Sequence, residues 1–391
     1  MKSVLKMIAV VTMAAGLTVG PVAVAEAHPW RCQGNTPYHW ASSGGEVAVA
    51  TEFQNLQPKK PAKKAAKDLM AKAPFIKINT VASGGQMTIV DGNEGDKGWA
   101  GLAVVKPNAA CEIVHADVIL NTFYGTQGSL AQGIYCQEIG HSFGLDHSDD
   151  GSCMGLGYFR SGTSVISGHN VDDLKGIYQG GSAQAPSNKL LAQKRKAPPM
   201  LISAVWGFSP DSIGEAENEA ETVVVAQAAS SAPGTPITTE DGIVIPTTNT
   251  TLEVDTAYKG DALPGEEVVV QQIGGDGVFA TEDPAYRPGQ EYLLMLDPND
   301  EGNVNHIVSP DARYSLRADG TLTATMETSV SASVSGQSLS ALTGSLGLQP
   351  IRAGKAEFGG EGLTRILIIV GIAIAALVAL ALIARFALGR R

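Results

Sequence analysis

The apolar positions of this chain fall into three kinds of run. The longest is Ile366 to Ala384, 19 residues without a charge, enough to cross a hydrocarbon core as a helix. A shorter run, Met7 to Val19, is preceded by Lys2 and Lys6 and broken by Gly16. Between them, short strand-like segments and helical stretches succeed one another. Pro61–Ala73 is rich in helix formers, with Leu69 and Met70 as its apolar contacts. Phe75–Asn79, Gln86–Asp91, Trp99–Val105 and Ile113–Asn121 read as strands. A helix is expected over about Ser129 to Phe143, ended by Gly144. A short closing helix is expected over Val171–Tyr178 with Asn170 as its N-cap.

The pattern then changes. Residues 180–199 are rich in Gly, Ser, Ala, Gln and Lys and read as a linker. Strand-like segments separated by turn residues follow at Glu221–Ala228, Thr250–Tyr258, Glu266–Ile273, Glu291–Leu296 and Arg313–Arg317. They predict an all-β accessory domain over 200–325, a sandwich or small barrel. Residues 326–364, rich in Ser, Gly and Thr, read as a stalk.

The flanks of the two end runs place them. Basic residues, a short apolar stretch and Ala23-Val24-Ala25-Glu26-Ala27 make residues 1–27 a secretory signal peptide. Arg385, Arg390 and Arg391 after the C-terminal run keep that end cytoplasmic. The expected layout is an extracytoplasmic ectodomain at 28–180 and 200–325, a single membrane span at 365–385 and a basic tail at 386–391. The partner at the C-terminus is thus the membrane.

Composition narrows the chemistry. Of 391 residues, 44% are hydrophobic and 17% charged, with a formal net charge of −11. That acidity argues against nucleic acid as a partner, since phosphate contacts require clustered Lys and Arg. The basic run Lys59, Lys60, Lys63, Lys64 and Lys67 reads as a solvated helix face. In an exported chain the four cysteines Cys32, Cys111, Cys136 and Cys153 suggest two disulfides, with three pairings open. Cys136 and Cys153 flank the helix of greatest interest, which favours Cys136–Cys153 with Cys32–Cys111.

That helix reads Gln137-Glu138-Ile139-Gly140-His141-Ser142-Phe143-Gly144-Leu145-Asp146-His147. Positions i and i+4 of a helix share a face, and in H-E-x-x-H two histidines grip zinc while the glutamate serves the bound water as general base. In the extended form H-E-x-x-H-x-x-G-x-x-H, a glycine turns the chain so that a third histidine returns to the metal. Glu138, His141, Gly144 and His147 occupy the expected places, and Met154 follows seven residues after His147. The first histidine is replaced by Gln137.

This arrangement resembles the metzincin zinc proteases, and among them the bacterial matrixin-like group. The resemblance extends to Gly98-Trp99-Ala100-Gly101-Leu102-Ala103, to Ala116-Asp117-Val118-Ile119-Leu120-Asn121 and to His169–Tyr178. It implies an α+β domain over 28–180, a twisted mixed sheet with an active-site helix beneath it. It also implies zinc held by His141 and His147, Glu138 as catalytic base, and a methionine turn at Met154. A protein or peptide substrate would lie extended, pairing as an added strand with the backbone of Gly101, Leu102, Ala103 and Val104.

Gln137 leaves three readings open: a weak amide ligand in a working enzyme; a metal held by His141, His147 and another group, with Asp146, Asp149 or His115 in view; or a metal-free fold that binds peptides or surfaces. Glu138 favours the first two. The loop Asp91–Gly98 offers oxygen ligands suited to calcium, though its spacing is not that of an EF-hand.

Overall fold

The computed structural model describes residues 29–32, 36–54, 56, 59–148, 150–155, 163–180, 199–275, 277–299, 304–326 and 328–351. The expected signal peptide, membrane span and basic tail lie outside them, as does nearly all of the linker. No helix among the described residues is long and apolar enough to cross a membrane.

The chain is a mixed α+β structure. Its first part supplies β1 (Glu46–Phe53), α1 (Lys59–Lys72), β2 (Ile76–Val81), β3 (Met87–Gly92), β4 (Trp99–Pro107), β5 (Ile113–Asn121), α2 (Gly128–Ser142) and α3 (Gly168–Tyr178). The remainder supplies β6 (Met200–Trp206), α4 (Ile213–Glu219), β7 (Thr222–Pro233), β8 (Thr247–Lys259), β9 (Glu267–Ile273), β10 (Val278–Ala280), β11 (Glu291–Pro298), β12 (Asn305–Ile307), β13 (Arg313–Leu316), β14 (Leu322–Ala324), α5 (Ser329–Val334) and α6 (Leu339–Ser345). The strands expected from the sequence are present with ends shifted by a few residues. Helix α3 starts earlier than expected: Ser167 is the N-cap, and Asn170 sits three residues in, completing a reciprocal capping box.

Among the described residues one sheet has eight strands: β1 to β6, β10 and the two-residue Ser42–Ser43, which pairs with β1. β3 pairs in parallel with β1 and β5, and β2 also runs parallel to β1. β4 is antiparallel to β5. The second part of the chain then extends this sheet: β6 lies antiparallel on β4, and β10 lies parallel on β6. The segment read as the start of an accessory domain therefore belongs to the first sheet.

In the second sheet β11, β7, β8, β9 and β12 pair in sequence, and β12 returns to β11, closing a five-stranded barrel. β13 and β14 continue outward from β11. Within the stretch read as a stalk, α5 and α6 place Val334 and Leu342 in the barrel's core. A few aliphatic residues at helical spacing suffice to bury a Ser-rich helix on one side.

Two apolar cores follow from this layout, one between the first sheet and α1, α2 and α3, the other inside the barrel. A third cluster joins the two parts, with Val90, Trp99, Leu102, Val104 and Ile119 meeting Ile202, Ala204 and Ile245. Two disulfides, Cys32–Cys111 and Cys136–Cys153, reinforce the first part.

Candidate metal centre beneath the sheet edge

Helix α2 is buried at every residue from Ala131 to Ser142. A helix enclosed on all sides belongs in an interior, and this one lies between α1 and strands β4 and β5. It carries Gln137, Glu138 and His141 inward with it, each at most 2% exposed. β4 comes close enough to touch it because Gly101 has no side chain. A Cβ there would stand 2.3 Å from Ile134 Cγ2 and 3.0 Å from Glu138 Oε1.

The helix stops at a glycine-dependent turn. The Gly144 N–H donates to His141 O and the Leu145 N–H to Gly140 O, the paired bonds of a Schellman motif. Gly144 has φ +90°, and a Cβ on it would fall 2.2 Å from the Tyr38 carbonyl oxygen. The turn sends the chain back so that His147 meets His141. Met154 packs under the helix at Gly140, where a Cβ would lie 2.4 Å from its sulfur. Cys136–Cys153 ties the helix to that same segment.

The two imidazoles are held in complementary ways. His141 Nδ1 lies 2.9 Å from Leu145 O. A carbonyl only accepts, so that nitrogen carries the proton and Nε2 presents a lone pair. His147 Nε2 stands 3.2 Å from His141 Nε2. In a tetrahedral zinc site with nitrogens about 2.0–2.1 Å from the metal, two ligand nitrogens stand about 3.3 Å apart. The Trp30 ring stacks on His141 at 4.6 Å between centroids and 7° between planes, fixing the ring plane. Burial pushes the His141 pKa down to about 4 and that of His147 well below the ordinary range, with His141 adding to the latter. Both are therefore neutral, as metal ligation requires.

Two further atoms bear on whether a metal fits. Gln137 Oε1 is buried with no hydrogen-bond partner, as is Glu138 Oε2. Orphaned buried acceptors call for an explanation, and a cation between them and the imidazoles supplies one. The residues thus fit a zinc ion, with His141 and His147 as nitrogen ligands and the Gln137 amide as an oxygen donor. Among the described residues no group of three or more His, Cys, Asp or Glu side chains converges as a metal site. Of the other residues weighed as ligands, His115 is engaged with Asp117 at 2.7 Å. Asp146 accepts the His147 N–H, and Asp149 lies outside the described residues.

One carboxylate in the site comes from far along the chain. Glu282 Oε1 stands 3.3 Å from His147 Nδ1, with 2% of the side chain exposed. It accepts from Ser203 Oγ at 2.7 Å, from the Ala204 N–H at 2.9 Å and from Thr281 Oγ1. Burial raises its pKa to about 7. Glu138 lies well above the carboxylate range through burial and the proximity of Glu282, opposed by the Val205 N–H, which donates to its Oε1 at 3.2 Å. No sequence motif marks Glu282, Val205 or Trp30 as site residues.

The backbone edge of β4 is occupied. Gly101, Leu102, Ala103 and Val104 face Val205, Ala204, Ser203 and Ile202 of β6 in antiparallel register. A cavity of about 500 Å³ reaches His147 beside β6, lined by Trp30, Tyr38, Asp146, Leu201, Phe279 and Met326 among others. In the Asp91–Gly98 loop, protein groups take several of the oxygens: Asn121 Nδ2 binds Gly95 O, and Tyr124 donates to Asp96 Oδ1.

The chain matches no protein-family model and no curated protein.

Proposed function

We infer that this protein is a zinc-dependent endopeptidase of the metzincin type, exported and anchored to the membrane by its C-terminal run. The observation that carries this reading is the pair of buried imidazoles with Nε2 atoms 3.2 Å apart, one turn from a buried Glu138 whose Oε2 is unpartnered. His141, His147 and the Gln137 amide would hold the metal. A zinc ion there would polarise a carbonyl and lower the pKa of bound water.

The chain's own part is to place the proton acceptor. Glu138 directly follows Gln137, and its buried, unpartnered Oε2 would take a proton from water and return it to a leaving amine. Trp30 and the Leu145 carbonyl hold His141 in one orientation and one tautomer. Two disulfides support export, since such bonds persist in oxidising compartments.

The test is metal content and peptide cleavage together. The purified ectodomain is expected to hold about one zinc per chain, and His147→Ala to lose it. Cleavage of a broad peptide library is expected to vanish in Glu138→Ala. Zinc-free wild type under zinc-replete conditions would overturn the reading. The second reading, a peptide- or surface-binding module without catalysis, draws on Gln137, whose neutral amide is a poor zinc ligand. Tighter zinc binding by Gln137→His, with no gain in cleavage, would favour it.

A further inference from the structure

β4 is the strand on which an extended peptide would add, yet its edge is filled by the chain's own β6. The match is more than backbone pairing. The Val205 N–H donates to Glu138 Oε1, so the proposed base is engaged by the occupying strand. Ser203 and Ala204 hold the Glu282 carboxylate, which lies against His147. Leu201 and Val205 join the core that contains α2, while Ile202 and Ala204 point to the opposite cluster. Base, ligand histidine and substrate edge are thus all taken by one seven-residue strand and the carboxylate it carries.

We propose that β6, latched by Glu282, is an intramolecular occupant of the peptide-binding edge, and that the ligand class of this edge is an extended peptide with aliphatic side chains at alternate positions. The proposal rests on the peptidase reading for its meaning as latency, but the strand-addition site itself requires no metal. While β6 is in place, the edge is closed to peptides in trans. Apparent affinity for a peptide is then lowered by the fraction of molecules in which β6 is displaced.

The experiment uses the full ectodomain and a fluorescent peptide spanning residues 199–207. Val205→Pro removes the N–H given to Glu138 and disfavours an interior strand position. Glu282→Ala removes the latch, and with it the acceptor of Ser203 Oγ and the Ala204 N–H, without changing the sequence of β6. Both variants are expected to bind the peptide about tenfold or more tightly than wild type by anisotropy. Hydrogen exchange at Gly101–Val105 is expected to quicken in the variants and to slow again when peptide is added. Should Val205→Pro fail to fold, Glu282→Ala decides alone. A folded Glu282→Ala chain with wild-type peptide affinity and wild-type β4 protection would overturn the proposal. Running each arm with zinc and with chelator separates the two claims: peptide binding without Glu138-dependent cleavage supports the strap and counts against the peptidase.

Discussion

Asp117 shows how a single buried carboxylate is kept ionised. Burial alone would raise its pKa, but His115 Nε2 at 2.7 Å and Lys106 Nζ at 2.9 Å outweigh that and hold it below the ordinary value. A carboxyl group depressed on folding contributes stability that is fully present above its unfolded pKa of about 3.9 and is lost as pH falls through the folded value. Asp117→Asn should therefore lower the melting temperature near pH 6, with the difference shrinking progressively as pH falls below about 3.9 and Asp117 gains its proton. Melting curves from pH 6 downward check the sign, and a difference that does not shrink as pH falls would contradict it. Asp117 was legible in the sequence only as part of a strand resembling that of the family. Its partners stand on neighbouring positions of β4 and β5, and pairing them took the register of two antiparallel strands.

Helix α2 illustrates what local sequence can and cannot specify about an element. Its zinc-motif spacing, its glycine stop and the methionine seven residues past His147 were all readable, because each depends on residues within a few turns of one another. The structure adds why glycine is needed at 144: a left-handed φ and a carbonyl of Tyr38 in the space a methyl group would fill. Gly144→Ala combines left-handed strain of about 1–2 kcal/mol with that backbone clash. It should lower stability by about 2 kcal/mol or more and weaken zinc binding, since the turn sets where His147 returns. Chemical denaturation and chelator competition measure the two effects. The cysteine pairing was also favoured from position alone, since Cys136 lies in the helix and Cys153 just beyond the turn. Strand β6 was not found. A seven-residue apolar stretch after a linker carries no mark of which sheet it will join, and its pairing with β4 crosses the boundary expected near residue 200.

At the scale of the molecule, the two parts are joined through the first sheet, to which both contribute strands. Asp283, next to Glu282, is paired with Arg313, whose side chain is 1% exposed. Arg313 also donates to the Pro284 carbonyl at 2.6 Å and to Thr325 at 3.2 Å, and it lies over the Tyr286 ring. The barrel thereby fixes the segment that delivers Glu282 to His147. Removing one partner of a buried ion pair leaves the other uncompensated, typically at about 3–5 kcal/mol. Arg313→Ala should accordingly destabilise the barrel by that order and speed hydrogen exchange in β6 as well as in β13. Faster exchange confined to the barrel would show that the latch does not depend on this anchor.

By itself the sequence determined most of the strands of the two sheets, the helix that carries Glu138 and His141, and the turn at Gly144 that leads on to His147, because short-range spacing and backbone preference encode each of them; the cysteine pairing it only favoured. Only the tertiary structure decided that Trp30 stacks on His141, that Glu282 arrives 135 residues after His147, and that β6 fills the edge offered by Gly101–Val104. Those contacts join segments remote in the chain. Edge pairing is made by backbone groups that every residue possesses, so strand partners are selected by shape and burial after folding, not by a local pattern.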